Sequence, residues 1–143
     1  MRTFTSLAIA LLFGLAVSVA ARQDHPKEPH QHPDAAKEKN PVAADAASLE
    51  SGKKLYVDNC SDCHGEEGKG DGPAAPYAGD PAPSDLTDAE WRHGSSDGEI
   101  YAIIRDGVEG TGMKDFGKDL KPTEIWHVVN YVKSLAPKPA ANH

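Results

Sequence analysis

Cys60 and Cys63 lie three residues apart, and His64 follows the second cysteine directly. On one turn of helix these three positions share a face, so both thiols and the imidazole point in the same direction. Two thiols placed in this way can form thioethers with the vinyl groups on one edge of a porphyrin, while the imidazole binds the iron. The spacing is typical of the attachment site of a c-type haem.

A pair of cysteines at this spacing has other uses: a redox dithiol, a disulfide or half of a zinc site. A finger-type zinc site needs a second pair of ligands, and the sequence holds only 2 cysteines. A thioredoxin-like dithiol lies between a strand and a helix of an α/β domain, and no strand pattern flanks this motif. Haem attachment is favoured, and a thiol–disulfide protein without haem remains an alternative.

The sixth ligand of the iron decides what such a haem does. A haem whose sixth position is filled by the protein transfers electrons, whereas a haem with an open position binds gas or performs chemistry. Apart from Met1, the sequence contains one methionine, Met113, and it lies in a glycine-flanked loop rather than on an apolar stripe. A thioether is soft and neutral, favours ferrous iron and raises the potential. Met113 is therefore the predicted ligand, with His93 and His127 as alternatives. We expect His127 to face solvent.

The composition fits one domain with additional segments. Of the 143 residues, 26% are charged and 38% hydrophobic, and the formal net charge is −7. An acidic balance argues against a nucleic-acid partner, because phosphate binding needs a basic face. We expect a monomer that meets neutral or basic redox proteins.

Residues 1–21 have the pattern of an export signal. Arg2 provides the positive start, the apolar run of residues 7–17 follows, and small residues precede a cleavage site after Ala20 or Ala21. The apolar run is shorter than the roughly 20 residues that span a membrane. The sequence predicts a periplasmic protein with a cleaved signal, and a membrane tether formed by the uncleaved signal is the alternative.

Residues 22–45 are rich in proline, alanine, histidine and charged residues and show no apolar periodicity. Such a composition predicts a flexible linker, because little surface can be buried to offset the entropy of ordering. His25, His30 and His32 in this segment can bind a metal ion loosely, but a solvated polar arm is the favoured interpretation.

Three longer helices are predicted downstream. The first begins with Asp45 or Ser48 as its cap and includes Gly52, whose missing side chain suits a close helix crossing. The second starts at a capping box and ends near Gly107. The third begins at a proline and carries an apolar stripe at helical spacing. The positions that define the last two are Ser96, Glu99, Ile100, Ile103 and Ile104, and then Pro122, Glu124, Ile125, Val128, Val129, Val132 and Leu135.

Residues 66–83 form a predicted loop that is rich in glycine and proline. A proline carbonyl in such a loop can accept the second imidazole proton of His64, which fixes the ring and raises its basicity. Pro73 is the predicted partner.

Residues 46–136 resemble the class I monohaem cytochromes c. The resemblance is carried by the haem motif, by Gly52 and Tyr56 in the first helix, by the loop that ends at Met113, and by Val128 and Tyr131 in the last helix. It implies an all-α fold of three to five helices around one covalent haem c, with His64 and Met113 as axial ligands and Pro73 as the partner of the imidazole. Glu109 departs from the family, which often has proline there. Residues 137–143 are predicted to be a frayed tail.

The sequence as a whole predicts a one-electron carrier in a periplasmic or extracytoplasmic chain, whose partners are a membrane respiratory complex, an oxidase or a reductase. It predicts an electron-transfer protein rather than an enzyme. A haem sensor or peroxidase-like enzyme with an open sixth site is the first alternative, and a cytochrome subunit of a dehydrogenase is another.

Overall fold

The computed structural model describes residues 28–137, and within this range the chain is helical and contains no β-strand. The α-helices are α1 (Ala46–Asn59), α2 (Ser61–His64), α3 (Asp97–Asp106) and α4 (Pro122–Leu135), and short 3-10 turns cover Ala35–Lys37, Ala75–Tyr77 and Phe116–Lys118. This confirms the predicted all-α fold. The export signal, residues 22–27 and residues 138–143 lie outside the described residues.

The ends of the helices follow local sequence rules. The side chain of Asp45 accepts a hydrogen bond from the Ser48 amide at 2.8 Å, which caps α1. Ser96 and Glu99 form the predicted capping box of α3, and Gly107 ends that helix at a φ of 72°. Helix α4 begins at Pro122, as predicted, because proline needs no hydrogen-bond acceptor in the first turn.

Helices α1 and α4 cross at Gly52. A Cβ atom at this position would lie 2.8 Å from the Cβ of Tyr131 and closer still to the carbonyl group of His127. The ring of Tyr56, one turn later and fully buried, packs against the Tyr131 ring with 5.2 Å between centroids. The crossing therefore requires glycine, as the sequence predicted.

The core lies between these two helices and α3. Ile125, Val128 and Val129 are almost completely buried, and Ile100 and Ile104 of the predicted α3 stripe join them. Other buried members of the same cluster are Tyr56, Tyr101, Phe116, Trp126 and Val132. The apolar stripes therefore point inward, as their spacing indicates.

The prediction of a flexible linker is wrong for residues 28–45, which we call the N-terminal strap. The strap lies against α3 and α4 and is held by polar contacts rather than by apolar burial. Asn40 donates to Asn130 Oδ1 at 2.8 Å, and the buried amide of Asn130 donates to Ser48 Oγ at 2.9 Å and to the Val42 carbonyl at 3.1 Å. Val42 itself packs against the core. Composition missed the strap because its partners lie between about 60 and 90 residues away in the sequence.

The strap continues across α3. The amide of His32 donates to Glu99 Oε1 at 3.0 Å, and the amide of His30 donates to the Arg92 carbonyl at 2.8 Å. Gly98 leaves room for the strap, since a Cβ there would collide with the Ala35 carbonyl. Within residues 28–137, no helix combines the length and the apolar character needed to cross a bilayer.

We predict that Gly52→Ala lowers the free energy of unfolding by about 1–3 kcal/mol, because the added methyl group forces α1 away from the His127 carbonyl. Chemical denaturation of the purified protein measures the change. Ser51→Ala, on the exposed side of the same helix, is the matched control and should stay within about 0.5 kcal/mol of the parent. A more stable Gly52→Ala protein, as helix propensity alone would give, would contradict the close crossing.

A second prediction concerns the hydroxyl of Tyr56, which donates to the Gly65 carbonyl at 2.7 Å. Tyr56→Phe should lower the free energy of unfolding by about 1–2 kcal/mol, since it leaves a buried acceptor without its donor. Burial raises the pKa of Tyr56, so the folded protein keeps a proton that the unfolded chain releases. Stability should therefore fall as pH rises above about 10, and Tyr56→Phe should reduce this loss.

The matched control is Tyr77→Phe, because the Tyr77 side chain is 87% exposed. Denaturation curves at pH 7 and above pH 10 should be the same for Tyr77→Phe and the parent. An equal pH dependence in the parent and in Tyr56→Phe would show that Tyr56 does not titrate on unfolding.

Candidate functional site

The haem motif (residues 60–64) begins where α1 ends. The amide of Cys60 still bonds to the Tyr56 carbonyl at 2.8 Å, and the Cys60 carbonyl then accepts from the amides of Cys63 at 3.2 Å and His64 at 2.9 Å. The motif is thus one new turn, α2, attached to the end of a long helix. Cys60, Cys63 and His64 are all half-buried.

The loop after the motif closes onto this turn. Carbonyl groups at the end of a helix have no partner within it, and here amides of the loop supply the missing donors. These bonds run from Gly70 to the His64 carbonyl at 2.8 Å, from Gly72 to that of Cys63 at 3.2 Å, and from Ala74 to that of Asp62 at 2.7 Å. A Cβ at Gly72 would overlap the backbone of residues 61 and 62. The loop therefore fixes the position of the motif.

A cavity of about 390 Å³ opens beside the motif. Its wall includes Cys60, Cys63, His64 and Met113 together with apolar side chains from three helices and the loops. Those apolar residues include Leu86, Trp91, Ile100, Ile103, Ile104, Phe116, Val128 and Val132. The volume is within the range of small-molecule and cofactor sites, and the apolar wall suits a porphyrin.

His64 is held by the carbonyl of Ser84. Its Nδ1 lies 3.2 Å from the Ser84 oxygen, and because a carbonyl only accepts, Nδ1 carries the proton and Nε2 carries the lone pair. Burial lowers the pKa of His64, and the bond to Ser84 opposes this in part. The imidazole is therefore neutral and has one nitrogen available for a metal.

The prediction that Pro73 bonds to His64 is corrected by this contact. Pro73 is exposed, and the acceptor comes from Ser84, eleven residues further along the loop. The chain returns to the motif there because the amide of Leu86 donates to the Gly68 carbonyl at 2.6 Å. The predicted loop, residues 66–83, ends one residue before Ser84, so the sequence argument came close to the acceptor without including it.

The environment of Cys60 is unlike that of the attacking cysteine in a thiol–disulfide protein. Both cysteines are free in the structure. Burial, together with the neighbouring Cys63, raises the pKa of Cys60 to about 12. Thiol–disulfide proteins lower the pKa of the attacking cysteine so that it is a thiolate at neutral pH. Cys60 has the opposite environment, which argues against the hypothesis of a thiol–disulfide protein.

Residues 108–113 form a loop that ends at Met113 and is held by internal hydrogen bonds. The Thr111 hydroxyl donates to the Val108 carbonyl at 2.9 Å and accepts from the Met113 amide at 3.1 Å, and the Val108 amide donates to the Met113 carbonyl at 2.8 Å. The Gly112 amide reaches the Ala78 carbonyl at 2.5 Å. These bonds hold a loop in which Glu109 replaces the proline that is frequent in the family.

The two alternative histidines have different positions. His93 lines the cavity, in the loop that precedes α3, whereas His127 is not part of the wall. His127 is half-buried and its Nδ1 lies 2.8 Å from Ser48 Oγ, so the expectation that it faces solvent is wrong. His127 joins the polar contacts between α1 and α4 and does not line the cavity.

The sequence analysis did not predict that Ser84, Leu86 and Trp91 line the cavity. All three belong to the loop between α2 and α3. Their signal was weak, because a loop without periodicity does not indicate which side chains turn inward. The hydrogen bond from Leu86 to Gly68 is what brings this part of the loop to the motif.

Comparison with known proteins identifies the family of the chain. The family model for "Cytochrome C oxidase, cbb3-type, subunit III" matches residues 47–132. The cbb3-type cytochrome c oxidase subunit CcoP of Azospirillum sp. (strain B510) is 33% identical over 105 residues, which cover 65% of this chain and 32% of that protein. Subunit FixP of Bradyrhizobium sp. (strain ORS 278) is 37% identical over 103 residues, covering 66% and 32%. The chain spans about a third of the length of these relatives.

Solved structures give the same result for the fold. A chain of the reducing HAO-like protein complex of Kuenenia stuttgartiensis superposes with a TM-score of 0.64 at 35% identity, covering 68% of this chain and 47% of that one. Cytochrome cL from Hyphomicrobium denitrificans gives a TM-score of 0.52 at 25% identity, covering 64% and 49%.

The residues present fit the cofactor that these relatives imply, which is covalent haem c. An apolar cavity is lined by two thiols at the attachment spacing and by a histidine whose free nitrogen is set by the Ser84 carbonyl. The chain belongs to the cytochrome c family whose model is described as subunit III of cbb3-type cytochrome c oxidase, and its cofactor is covalent haem c.

Proposed function

We propose that this protein carries one electron at a time, with haem c attached to Cys60 and Cys63 and with His64 and Met113 as the axial ligands. The observation that carries the proposal is that all four side chains line the same apolar cavity. Haem c supplies an iron that alternates between the ferric and ferrous states, and no substrate bond is made or broken.

His64 is the proposed ligand on the side of the motif. Its Nδ1 proton is donated to the Ser84 carbonyl, which leaves Nε2 as the donor atom and fixes the plane of the ring. A hydrogen bond of this kind increases the basicity of a metal-bound imidazole. It therefore stabilises the more highly charged ferric state.

Met113 is the second proposed ligand of the iron. Its loop is held by the hydrogen bonds of Thr111 and by the bond from the Gly112 amide to the Ala78 carbonyl. These bonds fix the backbone that carries the thioether. A neutral, polarizable sulfur favours the ferrous state and raises the potential. A methionine in the sixth position would also prevent dioxygen and other small ligands from binding the iron, which suits an electron carrier.

We further propose that the protein works outside the cytoplasm. Residues 1–21 have the pattern of an export signal, and a tether formed by an uncleaved signal is the alternative. The acidic net charge of −7 favours redox partners with neutral or basic docking faces. The partner class is a respiratory oxidase, a reductase or another membrane complex.

A role as a subunit of a larger complex is the alternative to a free carrier, because the matched relatives are oxidase subunits of about three times the matched length. Gentle detergent extraction from the native host separates the two proposals. Recovery with a membrane oxidase through size-exclusion chromatography would support a subunit, and recovery as a free, small cytochrome would support a carrier.

The second candidate function, a sensor or peroxidase-like enzyme, requires an open or weakly ligated iron. His93 lines the same cavity as Met113 and is therefore the alternative ligand of the iron. The assignment of Met113 requires a test. Carbon monoxide separates the possibilities, since it binds reduced haem rapidly only where the sixth position is open.

We predict that the reduced parent protein does not bind carbon monoxide at neutral pH and that Met113→Ala binds close to one equivalent per haem. The physical reason is that alanine offers no donor atom, so the sixth position opens. Optical titration of the ferrous protein measures the binding. The near-infrared band of the ferric protein that reports methionine ligation should be present in the parent and absent in Met113→Ala.

His93→Gln is the matched control, because it changes another potential ligand on the wall of the same cavity. It should keep the near-infrared band and remain closed to carbon monoxide. Rapid stoichiometric binding by the parent would reject the carrier function, and an open site in His93→Gln would transfer the ligand role from Met113 to His93.

A further inference from the structure

Three histidines come together at the edge of the haem cavity, although they are distant in sequence. His30 and His32 belong to the N-terminal strap, and His93 belongs to the loop before α3. One ligating nitrogen of each lies within 4.8 Å of the other two, and all three residues are half-buried. Their ring centroids are 4.8 Å apart for His30 and His32, 4.8 Å for His30 and His93, and 6.0 Å for His32 and His93.

The distances are close to those of a metal site. Two nitrogens that bind a tetrahedral Zn²⁺ at 2.0–2.1 Å are about 3.3 Å from each other. His93 Nδ1 and His30 Nε2 are 3.4 Å apart, which is longer than an ordinary N–H hydrogen bond but matches the edge of such a tetrahedron. Binding would require the third ring to approach by up to about 1.5 Å, which rotation about side-chain bonds can supply.

The tautomer of His30 is set for ligation. Its Nδ1 lies 2.9 Å from the Glu28 carbonyl, so Nδ1 carries the proton and Nε2 presents its lone pair toward His93. A bond from the second imidazole nitrogen to a backbone carbonyl is the usual support of a metal-binding histidine. This hydrogen bond to the Glu28 carbonyl is made within the chain and does not need a metal ion to form.

The backbone of the cluster is anchored on both sides. The amide of His30 donates to the Arg92 carbonyl at 2.8 Å, one residue before His93, and the amide of His32 donates to Glu99 Oε1 at 3.0 Å. Glu99 is in turn fixed by Ser96 through the capping box of α3. The histidines are therefore not on a solvated arm, where ligands would have to be ordered by the ion itself.

We propose that His30, His32 and His93 bind one divalent transition-metal ion of the class that prefers imidazole, with Zn²⁺ as the representative. Three protein nitrogens leave one position of a tetrahedral ion open to water. The ion would join the N-terminal strap to the loop that lines the cavity through His93. This site does not include the motif or Met113, but it uses His93 and therefore rests on the proposed function in one respect: Met113 rather than His93 must bind the iron.

The test is calorimetric titration of the full, haem-loaded and chelator-treated ferric protein with ZnCl₂. We expect one equivalent to bind, and we expect His30→Gln and His93→Gln each to weaken binding by at least about tenfold, because each removes a ligand. X-ray absorption at the zinc edge should give about three imidazole nitrogens at about 2.0–2.1 Å. Haem iron does not contribute to that signal.

His127→Gln is the matched control, since His127 is half-buried like the cluster but bonds to Ser48. It should bind zinc as the parent does. His30→Gln remains informative if His93→Gln fails to fold, because His30 does not line the haem cavity. Unchanged optical spectra confirm that a variant keeps its haem site.

Three results would overturn the proposal. The first is the absence of zinc binding to the parent. The second is unchanged affinity in both His30→Gln and His93→Gln. The third is a loss of affinity in His25→Gln but none in His93→Gln, which would show that histidines of the N-terminal segment alone bind the ion loosely. None of these results bears on carbon monoxide binding, which tests the electron-transfer function separately.

Discussion

The crossing of α1 and α4 at Gly52 is the constraint on which the haem site depends. Because no side chain separates the helices there, their backbones approach until the His127 carbonyl and the Tyr131 side chain reach α1. The haem motif starts directly after α1, and Val128 and Val132 of α4 line the cavity. The separation of the two helices therefore sets the distance between the cysteines and the opposite wall of the cavity.

Backbone atoms complete the hydrogen bonds of the haem motif and of His64. Loop amides complete the carbonyls of the haem motif, and the Ser84 carbonyl accepts the proton of His64. Buried polar groups without such partners would cost stability, and a charged partner would alter the potential strongly. In the proposed ligand set, the hydrogen bond that His64 donates to the Ser84 carbonyl would favour the ferric state, while the thioether of Met113 would favour the ferrous one. These opposing effects would both contribute to the potential of the couple.

Local features were predictable and long-range ones were not. The capping box at Ser96, the start of α4 at Pro122 and the attachment motif depend on residues within one or two turns, so spacing alone identifies them. The partner of His64 depends on a return of the loop through Leu86 and Gly68, which no local rule describes. Pro73 was therefore a reasonable but incorrect choice.

The N-terminal strap shows why a polar composition does not always mean disorder. Composition rules ask whether a segment can bury enough apolar surface of its own. The strap instead uses a surface that the folded domain already provides: the buried amide of Asn130, the carboxylate of Glu99 and the space beside Gly98. The strap also bonds to the Arg92 carbonyl, and the next residue, His93, lines the cavity. The folded domain thus orders the segment that precedes it, and that segment contacts the loop that forms part of the cavity wall.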